Sequence, residues 1–303
     1  MQLIVGNGRM TGQGMKSRVE MAVDFANAGP PAARSGDPVV RFFDARARHY
    51  DREYQDETPA GYALRIRREK VMRLFDQPGG RVLDVGCGPG IMAAETVQRG
   101  CEFWGVDPSS QMISICRDRF AGERRAQFIV GDAVSLPLAN GFFDAVICMG
   151  VIDALRDRPR AVREMLRVLK PGGTLLLTFT NSRSPYSRWK KDVFYPLVSK
   201  YHALKARMEG SSAASVMQLG GSTRTLYSER AARRLVESLG AVVTEIAPYH
   251  FNLFLSPLDE IMPRLALAAA RGLEHSADSL PGWMAFGFIV KAQKTSEAGG
   301  SAA

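Results

Sequence analysis

The chain has 303 residues, with 40 Lys and Arg against 31 Asp and Glu, a formal net charge of +9. Hydrophobic residues at 46% and charged residues at 23% are ordinary for a folded protein and exclude a largely disordered chain. No apolar run approaches the ~18 residues of a membrane-crossing helix. The opening MQLIVGNGRMTGQGMK is too short an apolar stretch for a secretory leader. Cys87, Cys101, Cys116 and Cys148 form no CxxC pair, which excludes a disulfide framework or a zinc ribbon and points to a reducing, cytoplasmic setting with no metal. The positive balance leaves nucleic acid, an anionic membrane surface or an anionic substrate open as partners.

Residues 1–40, rich in Gly, Ala, Ser and Pro, read as a loosely ordered arm with a short helix near 15–27, and 294–303 as a small-residue polar tail. Between them, short apolar runs alternate with amphipathic stretches. Strands are expected at 81–85, 102–107, 127–132, 143–150 and 174–180. Helices are expected at 91–99, at 109–119 with Ser109 or Ser110 near the cap, and at 157–169, where Val162, Met165, Leu166 and Leu169 recur at helical spacing. Leu169-Lys170-Pro171-Gly172-Gly173 should stop that last helix, because Pro cannot continue it and Gly turns the chain. This βαβ series calls for a parallel sheet covered on both faces. After an irregular stretch at 181–223, a helix is expected at 229–240 behind Tyr227-Ser228, then a strand at 241–249. A second irregular, apolar stretch spans 250–283, and a last strand 285–293.

The central signal is Asp84-Val85-Gly86-Cys87-Gly88-Pro89-Gly90, where a strand hands over to a helix. Glycines there let backbone N–H groups approach a ligand closely. The dinucleotide fingerprint GxGxxG would need glycine at 91, which is Ile91. Strand two ends in Asp107, suited to accept both hydroxyls of a ribose, and strand three in Asp132. Three acids at three successive strand ends converge on one crevice, where open α/β sheets bind ligands.

Val82–Gly90, Gly105–Met112, Gly131–Leu138, Phe143–Val151 and Val168–Phe179, in this order, resemble the class I S-adenosylmethionine-dependent methyltransferases. They are most similar to the small-molecule group that includes the ubiquinone and menaquinone C-methyltransferases. The resemblance runs through 42–180 and, more weakly, 224–293. It implies an α/β fold, a doubly wound, mostly parallel seven-stranded sheet with helical insertions forming a lid, and S-adenosylmethionine as cofactor. It also implies roles at matched positions. Gly86, Gly88 and Gly90 would line the methionine part and Asp84 would place its ammonium. Asp107 would hold the ribose, Asp132 the adenine amino group with Ala133 beside the ring, and Met112 would pack on the adenine. Cys148 or Met149 would floor the site. Tyr50, in His49-Tyr50-Asp51, resembles a tyrosine that precedes the first helix of this group and closes over the cofactor. Cys87 and Cys148 read as small buried hydrophobes.

Methyl transfer needs alignment and exclusion of water more than a dedicated base. His202, Tyr249, His250, Tyr186 and Tyr227 are candidates for one, and none is singled out. The Asn/Asp-Pro-Pro-aromatic run of many base-modifying enzymes is replaced by Cys148-Met149-Gly150-Val151, which favours a small-molecule acceptor over nucleic acid. Ser184–Gly210 combines Arg188, Lys190, Lys191, Lys200, Lys205 and Arg207 with a stripe through Trp189, Phe194, Leu197 and Tyr201. It reads as a packed helix, as a lid with its apolar face on the acceptor, or as an element touching an anionic membrane. The expectation is a methyltransferase domain over 41–293, with 181–223 and 250–283 building the acceptor side for a small, hydrophobic or lipid-like molecule. Alternatives are a nucleotide-cofactor oxidoreductase, a nucleic-acid or protein methyltransferase recruited by the basic surface, and a non-catalytic cofactor-binding protein.

Overall fold

The computed structural model describes residues 38–201 and 225–296. The arm through residue 37 with its expected helix, residues 202–224 with His202, and the tail from 297 lie outside the described residues. In chain order the elements begin with α1 (Pro38–Gln55) and α2 (Pro59–Leu74). The sheet region then runs β1 (Arg81–Val85), α3 (Ala93–Gln98), β2 (Glu102–Asp107), α4 (Ser110–Arg119), β3 (Ala126–Val130), β4 (Phe143–Cys148), α5 (Arg158–Val168) and β5 (Leu169–Thr180). After it come α6 (Pro185–Arg188), α7 (Glu229–Glu237), β6 (Ala241–Phe251), α8 (Leu258–Ile261), α9 (Pro263–His275) and β7 (Ala285–Lys294).

The strands form one seven-stranded sheet in the order β3-β2-β1-β4-β5-β7-β6. The first five are parallel, and β7 is antiparallel to both β5 and β6. The unusual end of the βαβ series is therefore an antiparallel ribbon, with β7 slotted between β5 and the β6 that precedes it. Strand order reverses between β1 and β4, so the carboxyl ends of these two strands flank the crevice that such a reversal opens.

Alternation along the strands feeds two cores. Leu83, Val85, Trp104 and Val106 share one core with Val162, Met165 and Leu166 of α5, and this core continues to Ala232 and Val236 of α7, which packs on β6 and β7. Val82, Phe103 and Ile147 face the other way, onto Val71 and Met72 of α2, Ala93 and Val97 of α3, and Ile113 and Cys116 of α4. Burying both faces explains why these strands read as nearly continuous apolar runs. Each fully buried Leu or Phe here contributes about 1.5–3 kcal/mol. Helix starts follow local chemistry. Thr58 accepts from the Gly61 N–H at 3.1 Å ahead of Pro59, and Asp157 from Arg160 N–H at 3.1 Å ahead of Pro159.

Three details differ from the sequence reading. α5 ends at Val168, but Leu169 already pairs with Phe143, and Lys170–Gly173 bulge out before the ladder resumes at Ala145 and Thr174. The proline and glycines thus make a bulge rather than a separate turn. β3 stops at Val130, so Asp132 sits in the following turn and not on the strand. Finally, α1 and α2 form a helical layer that the sequence reading assigns to no element, and Tyr50 lies inside α1 rather than before the first helix.

Candidate functional site

The chain leaves β1 through Gly86, whose N–H donates to the Val106 carbonyl of β2 at 2.7 Å, as does Cys87 N–H at 3.1 Å. Gly86 has φ of +76°, and a Cβ there would stand 2.2 Å from a methyl of Val151. Both the conformation and the space therefore require glycine. The turn is fixed a second time from β2. Asp107 accepts from Gly88 N–H at 3.0 Å on one carboxylate oxygen and from Ser109 N–H at 2.9 Å on the other. Ser109 caps α4 by accepting from Met112 N–H at 3.0 Å, and its hydroxyl donates to Asp44 of α1. One hydrogen-bonded chain thus links the glycine turn, the end of β2, the start of α4 and the N-terminal helix.

These elements enclose a first cavity of about 150 Å³. Tyr50, Asp84, Gly86, Gly88, Asp107, Met112, Asp132 and Met149 all line it. Gly90 and Ala133 do not: Gly90 faces Phe120 and Cys116 where α4 packs, and Ala133 belongs to the core. Both serve packing behind the wall. Cys148 is in that core as well, with burial pushing its thiol far up, and the free Cys87 thiol is pushed up by a hydrogen bond with the Cys116 thiol and by burial; both are inert hydrophobes. Phe43, Tyr54, Val151 and Arg156 line the same cavity without having been expected there. The signal for two of them was present, since Val40, Phe43, Ala47, Tyr50 and Tyr54 recur every three or four residues along α1. The rings of Phe43, Tyr50 and Tyr54 meet edge-to-face and tilted along that face at centroid distances of 6.1 and 6.0 Å, and Tyr50 reaches over Gly88.

The electrostatics are those of a cation site. Asp84 is 2% exposed, and its Oδ1 has no hydrogen-bond partner. Burial, and then the neighbouring Asp107, push its pKa up to about 7. Burial raises Asp107 to about 6, against the two N–H groups that hold it and with Asp44 adding to the rise. Two buried acids whose charge is this costly suit a ligand that brings positive charge. S-adenosylmethionine does so with its ammonium and sulfonium groups, and the orphaned Asp84 oxygen fits the former. Asp107 retains acceptor capacity for hydroxyls, since an ionised carboxylate offers about four sites and two are taken. Asp132 accepts from Val134 N–H at 3.1 Å within its turn.

A second cavity of about 650 Å³ adjoins the first, and Tyr50 and Gly150 line both. Its walls come from α1, α2, the 186–195 helix, β6 and the 252–263 segment. Among the base candidates, Tyr249, His250 and Tyr186 line it and Tyr227 does not. His250 lies within β6 with φ of +56°, a strained backbone for a residue with a side chain. It is buried between Tyr62 and Phe286, with Nδ1 lacking a partner. Burial lowers its pKa to about 4, so the ring is neutral at neutral pH. Tyr186 is committed elsewhere, its hydroxyl donating to Asp259 at 2.6 Å.

The insertion does not present the face expected of it. Lys190 and Lys191 line the second cavity, whereas Leu197 and Tyr201 are exposed. Trp189 donates from Nε1 to the Ser256 carbonyl at 2.6 Å, tying the two insertions together, and is not part of the cavity wall. The cause is a π-helical run over Trp189–Phe194, after which residues 195–201 are α-helical again. A π turn adds a residue to the repeat and rotates the helix beyond it, so a stripe drawn at α-helical spacing splits between two faces. Among the described residues, no helix is long and apolar enough to cross a membrane.

Comparison with known proteins agrees with this geometry. Residues 83–177 match the methyltransferase domain family. The chain is 32% identical over 214 residues to the ubiquinone/menaquinone biosynthesis C-methyltransferase of Desulfotalea psychrophila, covering 68% of this chain and 83% of that one. It is 35% identical over 162 residues to the demethylmenaquinone methyltransferase of Renibacterium salmoninarum, where the match spans 50% of this chain and 65% of the relative. Among solved structures, a SAM-dependent methyltransferase of Thermotoga maritima shares the fold at a TM-score of 0.53 and 21% identity, covering 84% of this chain and 99% of that one. Glycine turn, buried acids, strand order and relatives agree, and the chain belongs to the class I S-adenosylmethionine-dependent methyltransferases, resembling the ubiquinone/menaquinone C-methyltransferases.

Proposed function

We propose that the protein transfers a methyl group from S-adenosylmethionine to a small, hydrophobic acceptor held in the second cavity. The observation that carries this reading is the shared wall: a cavity lined by Tyr249, Phe286, Leu64, Ala63 and Tyr195 opens against the cofactor cavity at Tyr50 and Gly150. The relatives are named for demethylmenaquinone and for ubiquinone and menaquinone biosynthesis. A comparably apolar acceptor with an aromatic or ring-like head suits these walls. On this reading residues 41–293 are the catalytic unit, and 181–223 and 250–283 supply its acceptor side.

Within the first cavity, Asp84 holds the ammonium and Asp107 the ribose hydroxyls. Asp132 receives the adenine amino group, Met112 packs on the ring, and Gly86, Gly88 and Met149 shape the methionine end. When bound, S-adenosylmethionine supplies a methyl carbon already activated by its sulfonium. The chain's own task is to align an acceptor atom with that carbon and to exclude water. Tyr50 and Tyr54 form the cover, and His250, whose burial lowers its pKa to about 4, lines the acceptor side without the basicity to take a proton readily at neutral pH.

The test is incubation of extracts with the protein and isotopically labelled S-adenosylmethionine, followed by mass spectrometry. One labelled small-molecule product is expected. Label confined to RNA or protein would instead favour an enzyme recruited by its basic surface.

A further inference from the structure

Arg67 is an anomaly in the second cavity. It projects from α2, is 7% exposed, and its Nε has no hydrogen-bond partner. Among the described residues it makes no ion pair with a carboxylate. A buried cation without an anion is costly. The rest of the cavity's charge is balanced differently. Lys190 lies over the Tyr186 ring at 5.0 Å and is influenced by Asp259 and Glu260, so the acids of the 252–263 segment act on the insertion's lysine. The groups that act on Arg67 are phenols. Burial works against its charge, and Tyr54, Tyr249 and Tyr50 work for it, Tyr54 also through a side-chain hydrogen bond, the net effect holding its pKa above the ordinary value.

Its position singles it out further. Gly150 lines both cavities, and a Cβ there would stand 2.6 Å from Arg67 Nη1. Gly150 is itself pinned, its N–H donating to Thr178 Oγ1 at 2.7 Å with φ of +76°. The guanidinium therefore lies flush against the partition between the cavities, where an acceptor atom must come to meet the methyl group. A side chain at residue 150 would displace it.

We propose that Arg67 binds an oxyanion on the acceptor, so that the second cavity takes a hydrophobic molecule carrying one acidic oxygen, a phenolate, an enolate or a carboxylate, beside Gly150. This rests on the second cavity being the acceptor site. A planar guanidinium suits such an oxygen better than an ammonium would, because it is less strongly hydrated and presents fixed donors. Stabilising the ionised form also raises the fraction of acceptor present as the anion, which is a stronger nucleophile toward a sulfonium methyl than the neutral acid. The acceptor oxygen or its conjugated carbon forms the new bond to the methyl carbon, the carbon–sulfur bond breaks, that electron pair stays on sulfur, and a methylated carbon that bore a hydrogen then releases it as a proton to solvent to restore conjugation.

The test is calorimetry on full-length protein saturated with S-adenosylhomocysteine, using 2-naphthoate and its uncharged analogue 2-naphthamide as probes. Naphthoate should bind at least about tenfold more tightly. Arg67→Gln should bring the two probes within about twofold of each other, Arg67→Lys should retain part of the preference, and Lys190→Gln with Lys191→Gln should keep it. Equal binding of the probes to the wild type, no binding of naphthoate, or a preference that survives Arg67→Gln and disappears with the two lysines would overturn the assignment. Should Arg67→Gln fail to fold, Arg67→Lys and the lysine double variant decide it. S-adenosylhomocysteine affinity, measured on the same samples, separates the two levels. Its absence defeats the methyltransferase reading, whereas intact cofactor binding without anion preference defeats only the role of Arg67.

Discussion

The two cavities are built on opposite principles. The first is made by the carboxyl ends of buried parallel strands, with Asp84 and Asp107 on β1 and β2 and a glycine turn held by three bonds from its N–H groups to Val106 and Asp107. The second is walled by helices and by segments inserted between strands: α1, α2, the 186–195 helix and the chain between β6 and β7. The first can hold charge rigidly, because moving either acid means moving the sheet. The second is joined by single contacts, such as Trp189 to the Ser256 carbonyl and Tyr186 to Asp259. A rigid cofactor cradle beside an adjustable acceptor wall lets one fold keep its chemistry while the acceptor changes.

If that contrast is right, damage to the first cavity should be severe and specific. Asp107→Ala removes a charged acceptor for ribose and releases the Gly88 and Ser109 N–H groups. Hydrogen bonds to a charged group contribute about 1.5–3 kcal/mol, so calorimetry should show S-adenosylhomocysteine affinity lower by about 10- to 100-fold, with the circular dichroism of the sheet retained. Unchanged affinity would remove Asp107 from the site.

The next effect is in pH. Folding raises Asp84 to about 7 and Asp107 to about 6, from an ordinary 3.8. The free folded protein thus binds more protons than the unfolded chain between these limits, and its stability should fall as pH rises from about 4 to about 7. A cationic ligand requires the ionised acids, so S-adenosylmethionine affinity should move the other way, tightening about tenfold from pH 6 to pH 8 through Asp84 alone. Asp84→Asn should flatten that slope and weaken binding at pH 8. A slope that persists in the variant would place the titration elsewhere.

Damage to the second region should be milder and leave the cofactor alone. Trp189→Phe removes one hydrogen bond between the insertions and should lower thermal stability by about 0.5–1.5 kcal/mol, while S-adenosylhomocysteine affinity stays within about twofold. A large loss of cofactor affinity would show that the two cavities are not separable in this way.

The same contrast explains what could be read from the residues. The glycine turn and the acids at strand ends are local signals that marked Asp84, Gly86, Gly88, Asp107 and Asp132, the family resemblance added Tyr50, Met112 and Met149, and all eight line the first cavity. Gly90 and Ala133 were carried over from the resemblance, but in this chain Gly90 faces Phe120 and Cys116 and Ala133 is part of the core. α1 carried its apolar stripe openly, yet Pro and Gly just upstream masked where the arm ended. The second cavity was less legible because its walls depend on contacts between segments far apart in the chain. The π-helical turn at Trp189–Phe194 redirects a stripe that counting alone sends to one face. Arg67 carried no signal, since a basic residue on an amphipathic helix reads as solvated until packing shows it buried.

The central claim is that the strand-end acids form a cradle for S-adenosylmethionine, and calorimetric titration of the wild-type protein at pH 8 tests it most directly. One S-adenosylhomocysteine should bind per chain and raise the melting temperature by mass action, while NAD and NADP give neither heat nor stabilisation. Binding of a nicotinamide dinucleotide in place of S-adenosylhomocysteine, or the same S-adenosylhomocysteine affinity in Asp84→Asn as in the wild type, would contradict it.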